Sequence, residues 1–181
     1  MKKTWDWFLE RTRDYQNEPE HPLSNKEELF EYLQSISHLL KDKIILDVGN
    51  GRSKELSEFL FDNFDIKDYS GLDIVDYSNS WTIVGDMHDM DFVNETFDVL
   101  IYNNVLEHSI SPYLALLEAN RVLKSEGIII VGLPIGSGHD VSESHFINLT
   151  RHQLQNLSTK TGFKLVEYKD VGTMCYYMLR K

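Results

Sequence analysis

From Lys43 onward, short apolar runs alternate with segments of helical periodicity, and this alternation constrains the fold more than any other feature. The first run, residues 44–48, starts without polar alternation, which is typical of a strand covered on both faces. Residues 54–64 then carry apolar side chains on one helical face. Repeated strand–helix units predict a doubly wound, mostly parallel α/β sheet. Ligands of such sheets bind beyond the carboxyl ends of the strands.

Further strands are predicted by the same pattern at residues 69–73, 81–84, 97–102, 128–133, 163–168 and 174–179. A helix is predicted from Ser111-Pro112 to about Lys124, because serine caps helix starts and proline fits the first helical position. The turn between the last two strands is too short for a crossover, so these strands should pair antiparallel. The expected fold is a seven-stranded, Rossmann-like sheet with an antiparallel last strand and N-terminal helices.

Residues 1–43 are predicted to form a helical extension, and residues 44–181 the core of what is one domain overall. Ser24 to Glu27 has the form of a capping box ahead of an apolar helical stripe. The extension also carries several aromatic residues, which could form a lid over a substrate or pack against the sheet edge: Trp5, Trp7, Phe8 and Tyr15.

Charge and cysteine content restrict the class of partner. The net charge is −11, and residues 44–134 hold 5 basic against 16 acidic side chains. Such a surface repels phosphate backbones, which argues against a nucleic-acid substrate. No apolar run is long enough to span a membrane, and no signal-peptide core follows Met1. The single cysteine, Cys175, indicates the cytoplasm or another reducing compartment. The oligomeric state stays open.

Ligand-type residues stand at the ends of four successive strands. Gly49 and Gly51 can take positive φ and let a ligand approach the backbone closely. A carboxylate at Asp73 could accept both hydroxyls of a ribose, and one at Asp86 could accept from an exocyclic amine. Asn103 ends the fourth strand. Each feature alone could be an ordinary turn, but together they predict a nucleotide-like ligand.

Residues 44–134 resemble the small class I methyltransferases that use S-adenosylmethionine, and the resemblance as a whole covers roughly residues 43–181. The segments that carry the resemblance are Leu46-Asp47-Val48-Gly49-Asn50-Gly51, Gly85-Asp86-Met87-His88, Phe97-Asp98-Val99-Leu100, Val105-Leu106-Glu107-His108 and Arg121-Val122-Leu123-Lys124-Ser125-Glu126-Gly127. The resemblance implies methyl transfer from S-adenosylmethionine, with S-adenosylhomocysteine as product. It does not cover the N-terminal helices.

Roles in cofactor binding follow from the resemblance. For the methionine part, Asp47 would hold the amino group, Gly49 and Gly51 would provide backbone room, and the Asn103 backbone would also meet the amino group. For the adenosine part, four residues are implied: Asp73 at the ribose hydroxyls, Ile74 flanking the adenine, Asp86 at the adenine amine and Met87 beside the ring.

The chain departs from the family pattern at two points. Ser53 stands where a third glycine is common, although a serine can cap the helix that follows. The segment between Asp73 and Trp81 is too short for the usual crossover helix, so a loop over residues 75–80 should replace it.

Transfer from a sulfonium methyl mainly requires alignment of the nucleophile, and a base is needed only if that nucleophile keeps a proton. His108 and His145 are the candidate bases, although either histidine could instead be structural. The cluster of His139, Asp140, Glu143 and His145 fits no metal motif, so no metal is expected. The acidic balance favours a small-molecule acceptor with an oxygen or nitrogen nucleophile.

Two other functions compete with methyl transfer. A nicotinamide-dependent oxidoreductase needs glycines in the order G-x-G-x-x-G, and Lys54 occupies the last position, so that pattern fails. A non-catalytic cofactor-binding or scaffold protein with the same fold stays open, because a fold does not determine function.

Overall fold

A computed structural model of the chain describes residues 23, 25–135 and 147–181. Its helices are α1 (Lys26–Ser35), α2 (Glu55–Phe64), α3 (Pro112–Val122) and α4 (Arg151–Lys160), with short 3-10 turns at Ser37–Leu39 and Leu106–His108. The strands are β1 (Ile44–Val48), β2 (Asp68–Asp73), β3 (Thr82–Val84), β4 (Phe97–Asn103), β5 (Leu123–Pro134), β6 (Lys164–Val171) and β7 (Met174–Arg180).

The seven strands form one sheet in the order β3-β2-β1-β4-β5-β7-β6. Strands β1 to β5 pair parallel, while β7 runs antiparallel to both β5 and β6. The chain therefore has the α/β, Rossmann-like architecture predicted from the alternation, and the antiparallel pairing of the last two strands is confirmed. The strand order reverses between β1 and β4, and a ligand cleft forms at such a switch point.

Apolar side chains cover both faces of the sheet. On one face, α3 and α4 contribute Ala115, Leu116 and Leu154 to a buried cluster. On the other face, α1 and α2 contribute a second cluster, in which Leu29 and Leu60 have no exposed surface. Helix α1 is thus part of the core, because its apolar stripe is removed from water against the sheet.

Some boundaries differ from the sequence predictions. Helix α3 ends at Val122 rather than near Lys124, and β5 begins at Leu123, five residues earlier than expected. The cause is tertiary, because Leu123 pairs with Phe97 across a register shift in β4. The connection after β2 contains no helix, which confirms the predicted loop over residues 75–80.

Helices α4 and α1 begin in different ways. Thr150 accepts from the Gln153 backbone, and the Gln153 side chain accepts from the Thr150 backbone, so α4 begins with a complete capping box. Helix α1 instead begins after Asn25, whose side chain makes no capping hydrogen bond. Ser24 and the aromatic residues of the extension (Trp5, Trp7, Phe8 and Tyr15) lie outside the described residues. Within the described part of the chain, no helix has the length and apolar character to cross a bilayer.

Candidate active site

The strand order places the predicted ligand residues in one row along the carboxyl edge of the sheet. Asp86 follows β3, Asp73 ends β2, the Gly49–Gly51 turn follows β1, and Asn103 ends β4. These four strands are adjacent in the order β3-β2-β1-β4. Residues spread over more than fifty positions of sequence therefore meet at one edge, as the strand-end argument requires.

The turn after β1 contains two glycines, of which one is packed against a neighbouring side chain and the other borders open space. Gly49 has φ 73° and Gly51 has φ 60°, a region that side-chain-bearing residues rarely adopt. A Cβ on Gly49 would collide with Val105, whereas a Cβ on Gly51 would meet nothing within 4 Å. The Gly49 N–H donates to the Leu72 carbonyl at 2.7 Å, which fastens the turn to β2. Gly51 therefore borders open space, where a ligand could approach the backbone.

Asp73 is held in place by backbone donors. The Gly51 N–H donates to Oδ2 at 3.0 Å, and the Val75 N–H donates to Oδ1 at 3.0 Å. Burial raises the pKa of the Asp73 carboxyl, and these backbone bonds partly oppose the rise. Each carboxylate oxygen keeps a further lone pair, so the group can still accept from a pair of vicinal hydroxyls.

Asp47 is almost fully buried beneath the turn. Its Oδ2 accepts from the Tyr69 hydroxyl at 2.8 Å, and only 4% of the residue is exposed. Burial raises the pKa of Asp47 to about 7, the Tyr69 bond lowers it in part, and the Asp73 charge raises it further. Tyr69 was not identified from the sequence, because its role depends on β1–β2 register, in which Ile45 pairs with Tyr69.

The segment after β3 contains an Asp86–His88–Ser109 array. The Asp86 Oδ1 accepts from the His88 backbone N–H at 2.9 Å and lies 2.6 Å from His88 Nδ1. The other ring nitrogen, Nε2, lies 2.7 Å from Ser109 Oγ. Burial acts to raise the pKa of Asp86, but its contacts with His88 outweigh burial and the pKa is lowered. Ser109 has no exposed surface, so the array has no accessible nucleophile and is not a hydrolytic triad.

The remaining cofactor candidates also lie at this edge. A Cβ on Gly132 would collide with the Asn103 side chain and the Tyr176 ring, so this glycine makes room for both. Met87 is partly buried and packs against the core under α3. Ile74 is half-buried directly after β2. These placements leave each residue beside the strand end that the sequence predicted.

A second contact that sequence reasoning missed involves Asn50, the central residue of the turn. Its Nδ2 donates to Thr82 Oγ1 at 2.9 Å, and its side chain covers Gly71 so closely that a Cβ there would collide with it. Asn50 therefore joins the β1 turn to β3 across β2. The signal in the sequence is weak, since it consists of one glycine in the middle of a strand.

The structure describes only one of the two candidate bases. His108 is half-buried at the end of the 3-10 turn after β4, on the cofactor edge, and His145 lies outside the described residues. Directly before His108, Glu107 is only 6% exposed, and burial raises its pKa to about 7. In the sequence, the signal for a buried Glu107 was its position directly after the apolar residue Leu106 and directly before His108.

Metal binding receives no support from the described residues, which contain no group of three His, Cys, Asp or Glu side chains arranged to hold an ion. The cluster of His139, Asp140, Glu143 and His145 lies outside those residues.

Comparison with protein families matches residues 46–131 to a family described as a methyltransferase domain. The matched segment runs from β1 into β5 and includes all four strand ends of the row. Residues 46–131, just under half of the chain, thus match a methyltransferase domain, and the match together with the shared fold indicates S-adenosylmethionine as the cofactor. No curated protein sequence matches the chain.

Solved structures share the fold at low sequence identity. An S-adenosylmethionine-dependent methyltransferase from Aquifex aeolicus is 14% identical, with a TM-score of 0.71 over 95% of this chain and 97% of that one. The 1,6-didemethyltoxoflavin-N1-methyltransferase of Burkholderia thailandensis, solved with its substrate and S-adenosylhomocysteine, is 17% identical with a TM-score of 0.64, covering 90% and 93%. The [4+2]-cyclase SpnF is 17% identical with a TM-score of 0.70, covering 84% and 79%.

The residues of the site fit S-adenosylmethionine. Carboxylates able to accept from an amine and from two hydroxyls flank a glycine that borders open space. The spacing of parallel strands, about 4.8 Å each, makes the row long enough for an extended nucleoside with a side chain. The site therefore offers acceptors where a nucleoside carries its donors.

Proposed function

We propose that this chain transfers the methyl group of S-adenosylmethionine to an oxygen or nitrogen nucleophile of a small-molecule acceptor. One observation carries the proposal: the order of ligand-type residues along the edge matches the order of groups in the cofactor. Asp86 would meet the adenine amine, Asp73 the ribose hydroxyls, and the Gly49–Gly51 turn the centre. Asp47 and Asn103 would hold the methionine end.

The adenine itself would lie between the β2 and β3 ends. Ile74 and Met87 flank this space, and both are apolar residues suited to the faces of a base. The loop over residues 75–80, which replaces a helix there, would close the outer side. The cofactor supplies an activated methyl group, and the residues of the site would orient it and restrict water.

The acceptor would bind where the segment after β4 meets residues beyond β5. His108 lies there, and we propose His108 and His145 as candidate bases for an acceptor that keeps its proton at neutral pH. The acidic charge of residues 44–134 supports a small molecule over a nucleic acid. The Burkholderia enzyme, an N1-methyltransferase solved with bound 1,6-didemethyltoxoflavin, acts on a molecule of that size class. A single, buried Cys175 is in keeping with a reducing cytoplasm.

Two measurements test the proposal. Calorimetric titration with S-adenosylhomocysteine should show stoichiometric binding, and absence of binding would contradict the cofactor placement. Transfer of labelled methyl from S-adenosylmethionine should then be measured against panels of hydroxyl and amine acceptors, with the His108→Ala variant alongside.

The competing proposal is that the protein binds the cofactor without catalysis, or catalyses a reaction other than methyl transfer. The [4+2]-cyclase shares this fold, so the fold admits a reaction other than methyl transfer. Cofactor binding without transfer to any acceptor class would favour this second reading.

A further inference from the structure

His88 bridges two segments of the site that the sequence does not connect. Its ring lies between Asp86, which follows β3, and Ser109, which follows the 3-10 turn after β4. Only 11% of the His88 side chain is exposed, and Ser109 has no exposed surface. The His88 and Ser109 part of the bridge therefore lies inside the protein, where its hydrogen bond is shielded from competing water.

One tautomer satisfies every member of the bridge. With the proton on Nδ1, His88 donates to the ionised Asp86 carboxylate, and Nε2 accepts from the Ser109 hydroxyl. The Ser109 oxygen in turn accepts from the Ser111 N–H at 3.1 Å, at the start of α3. The hydrogen bonds are therefore donated in one direction, from the start of α3 through Ser109 and His88 to Asp86.

The bridge uses only one oxygen of Asp86. Both His88 donors converge on Oδ1, and among the described residues no hydrogen bond to Oδ2 is present. The Asp86 side chain is 32% exposed, so this second oxygen can reach a ligand. A carboxylate fixed at one oxygen presents the other in one direction, without the entropy loss of ordering it when a ligand binds.

We propose that His88 is a positioning residue, which locks Asp86 so that its second oxygen selects the 6-amino group of the adenine. The proposal rests on the proposed cofactor placement. A locked, ionised carboxylate accepts from an amino group but repels a carbonyl oxygen at the same position. The wild-type protein should therefore discriminate S-adenosylhomocysteine from S-inosylhomocysteine, in which oxygen replaces the amine.

The test measures this discrimination by calorimetry in three variants. His88→Ala should reduce the ratio of the two affinities by about tenfold, because the freed carboxylate can turn away from a carbonyl. His88→Asn keeps a donor near the Nδ1 position and should retain most of the discrimination. Ser109→Ala removes only the far end of the bridge and should have a smaller effect than His88→Ala.

The ratio separates positioning from simple loss of structure, since a merely structural defect lowers both affinities alike. Unchanged discrimination in a folded His88→Ala protein would overturn the proposal. If that variant does not fold, the other two variants decide: retained discrimination in His88→Asn with a partly reduced ratio in Ser109→Ala supports the proposal, and any other pattern contradicts it. The Asp86→Asn variant tests the cofactor placement itself, since unchanged discrimination in this variant would contradict that placement.

Discussion

The Gly51 backbone N–H donates to Asp73 Oδ2 at 3.0 Å, so the turn after β1 and the end of β2 are connected before any ligand binds. The bond keeps the Asp73 carboxylate at the sheet edge and holds Gly51 at φ 60°. Preorganisation of this kind strengthens binding because less order must be created in the complex. Asp73 thereby shapes the turn, and we propose that it also meets the ribose of the cofactor.

Replacement of Asp73 should therefore weaken cofactor binding strongly. We expect Asp73→Ala to weaken S-adenosylhomocysteine binding by at least about tenfold, or ~1.4 kcal/mol, because the hydroxyl acceptors and the Gly51 anchor are both lost. Asp73→Asn is the matched control, since it keeps one acceptor oxygen and should lose less. Calorimetry provides both affinities, and unchanged binding in Asp73→Ala would mean that the ribose is misplaced.

The two glycines of the turn should respond differently to alanine. A Cβ on Gly51 enters open space, so Gly51→Ala should cost about 1 kcal/mol of backbone strain and mainly impair ligand binding. A Cβ on Gly49 collides with Val105, so Gly49→Ala should lower the free energy of unfolding more, by about 2 kcal/mol or more. Urea denaturation and calorimetry on both variants measure the two effects.

A compensating substitution distinguishes the collision from backbone strain. Because Gly49 meets the branched Val105 side chain, the double variant Gly49→Ala/Val105→Ala should recover part of the stability lost in the first substitution, relative to Val105→Ala alone. Purely additive losses would show that φ 73° at Gly49, and not the contact, is the cause.

Arg121 fastens the loop before β4 to helix α3. One guanidinium nitrogen, Nη1, donates to the Phe92 carbonyl at 2.6 Å, and Nη2 donates to the Met90 carbonyl at 2.7 Å. Glu118 pairs with the same guanidinium at 2.7 Å. Lysine cannot reproduce this fork, so Arg121→Lys should lower the free energy of unfolding by about 1–2 kcal/mol. Arg180→Lys, at an exposed position, is the control and should change little.

The carboxyl edge of the sheet was predictable because its signals are local. Apolar runs that end in Asp73 or Asn103 reveal both the strand and the polar residue, and a parallel sheet then places those ends together. The start of β5 at Leu123 was not predictable, since it depends on pairing with Phe97 across a bulge.

The contacts inside the site were not predictable for the same reason. Asn50 and Thr82 are 32 positions apart, and His88 and Ser109 are 21 apart. No periodicity connects such pairs, and an asparagine or histidine in a loop is ordinary. The residue types at the strand ends could thus be assigned from the sequence, whereas the polar network that orients them required the structure.

Buried carboxyl groups make the stability of this fold pH-dependent in a specific direction. Burial raises the pKa of Asp47 from 3.8 to about 7 and that of Glu107 from 4.5 to about 7. At a pH between the ordinary pKa of each carboxyl and its raised pKa, the native state binds more protons than the unfolded state. The free energy of unfolding therefore falls as the pH rises. This stability is present at low pH and is lost as the pH approaches about 7. We expect urea denaturation of the ligand-free protein to show a decline between about pH 5 and about pH 7.5.

Substitution of the buried groups should flatten this decline. Asp47→Asn and Glu107→Gln remove one titrating group each, and Asp47→Asn keeps an oxygen to accept from Tyr69. Each should reduce the loss of stability over that pH range by on the order of 1–2 kcal/mol. Asp62→Asn, at an exposed position of α2, changes the net charge equally and should leave the slope as in the wild type. If neither Asp47→Asn nor Glu107→Gln changes the slope, then overall charge repulsion, and not burial of these two carboxyls, sets the pH dependence.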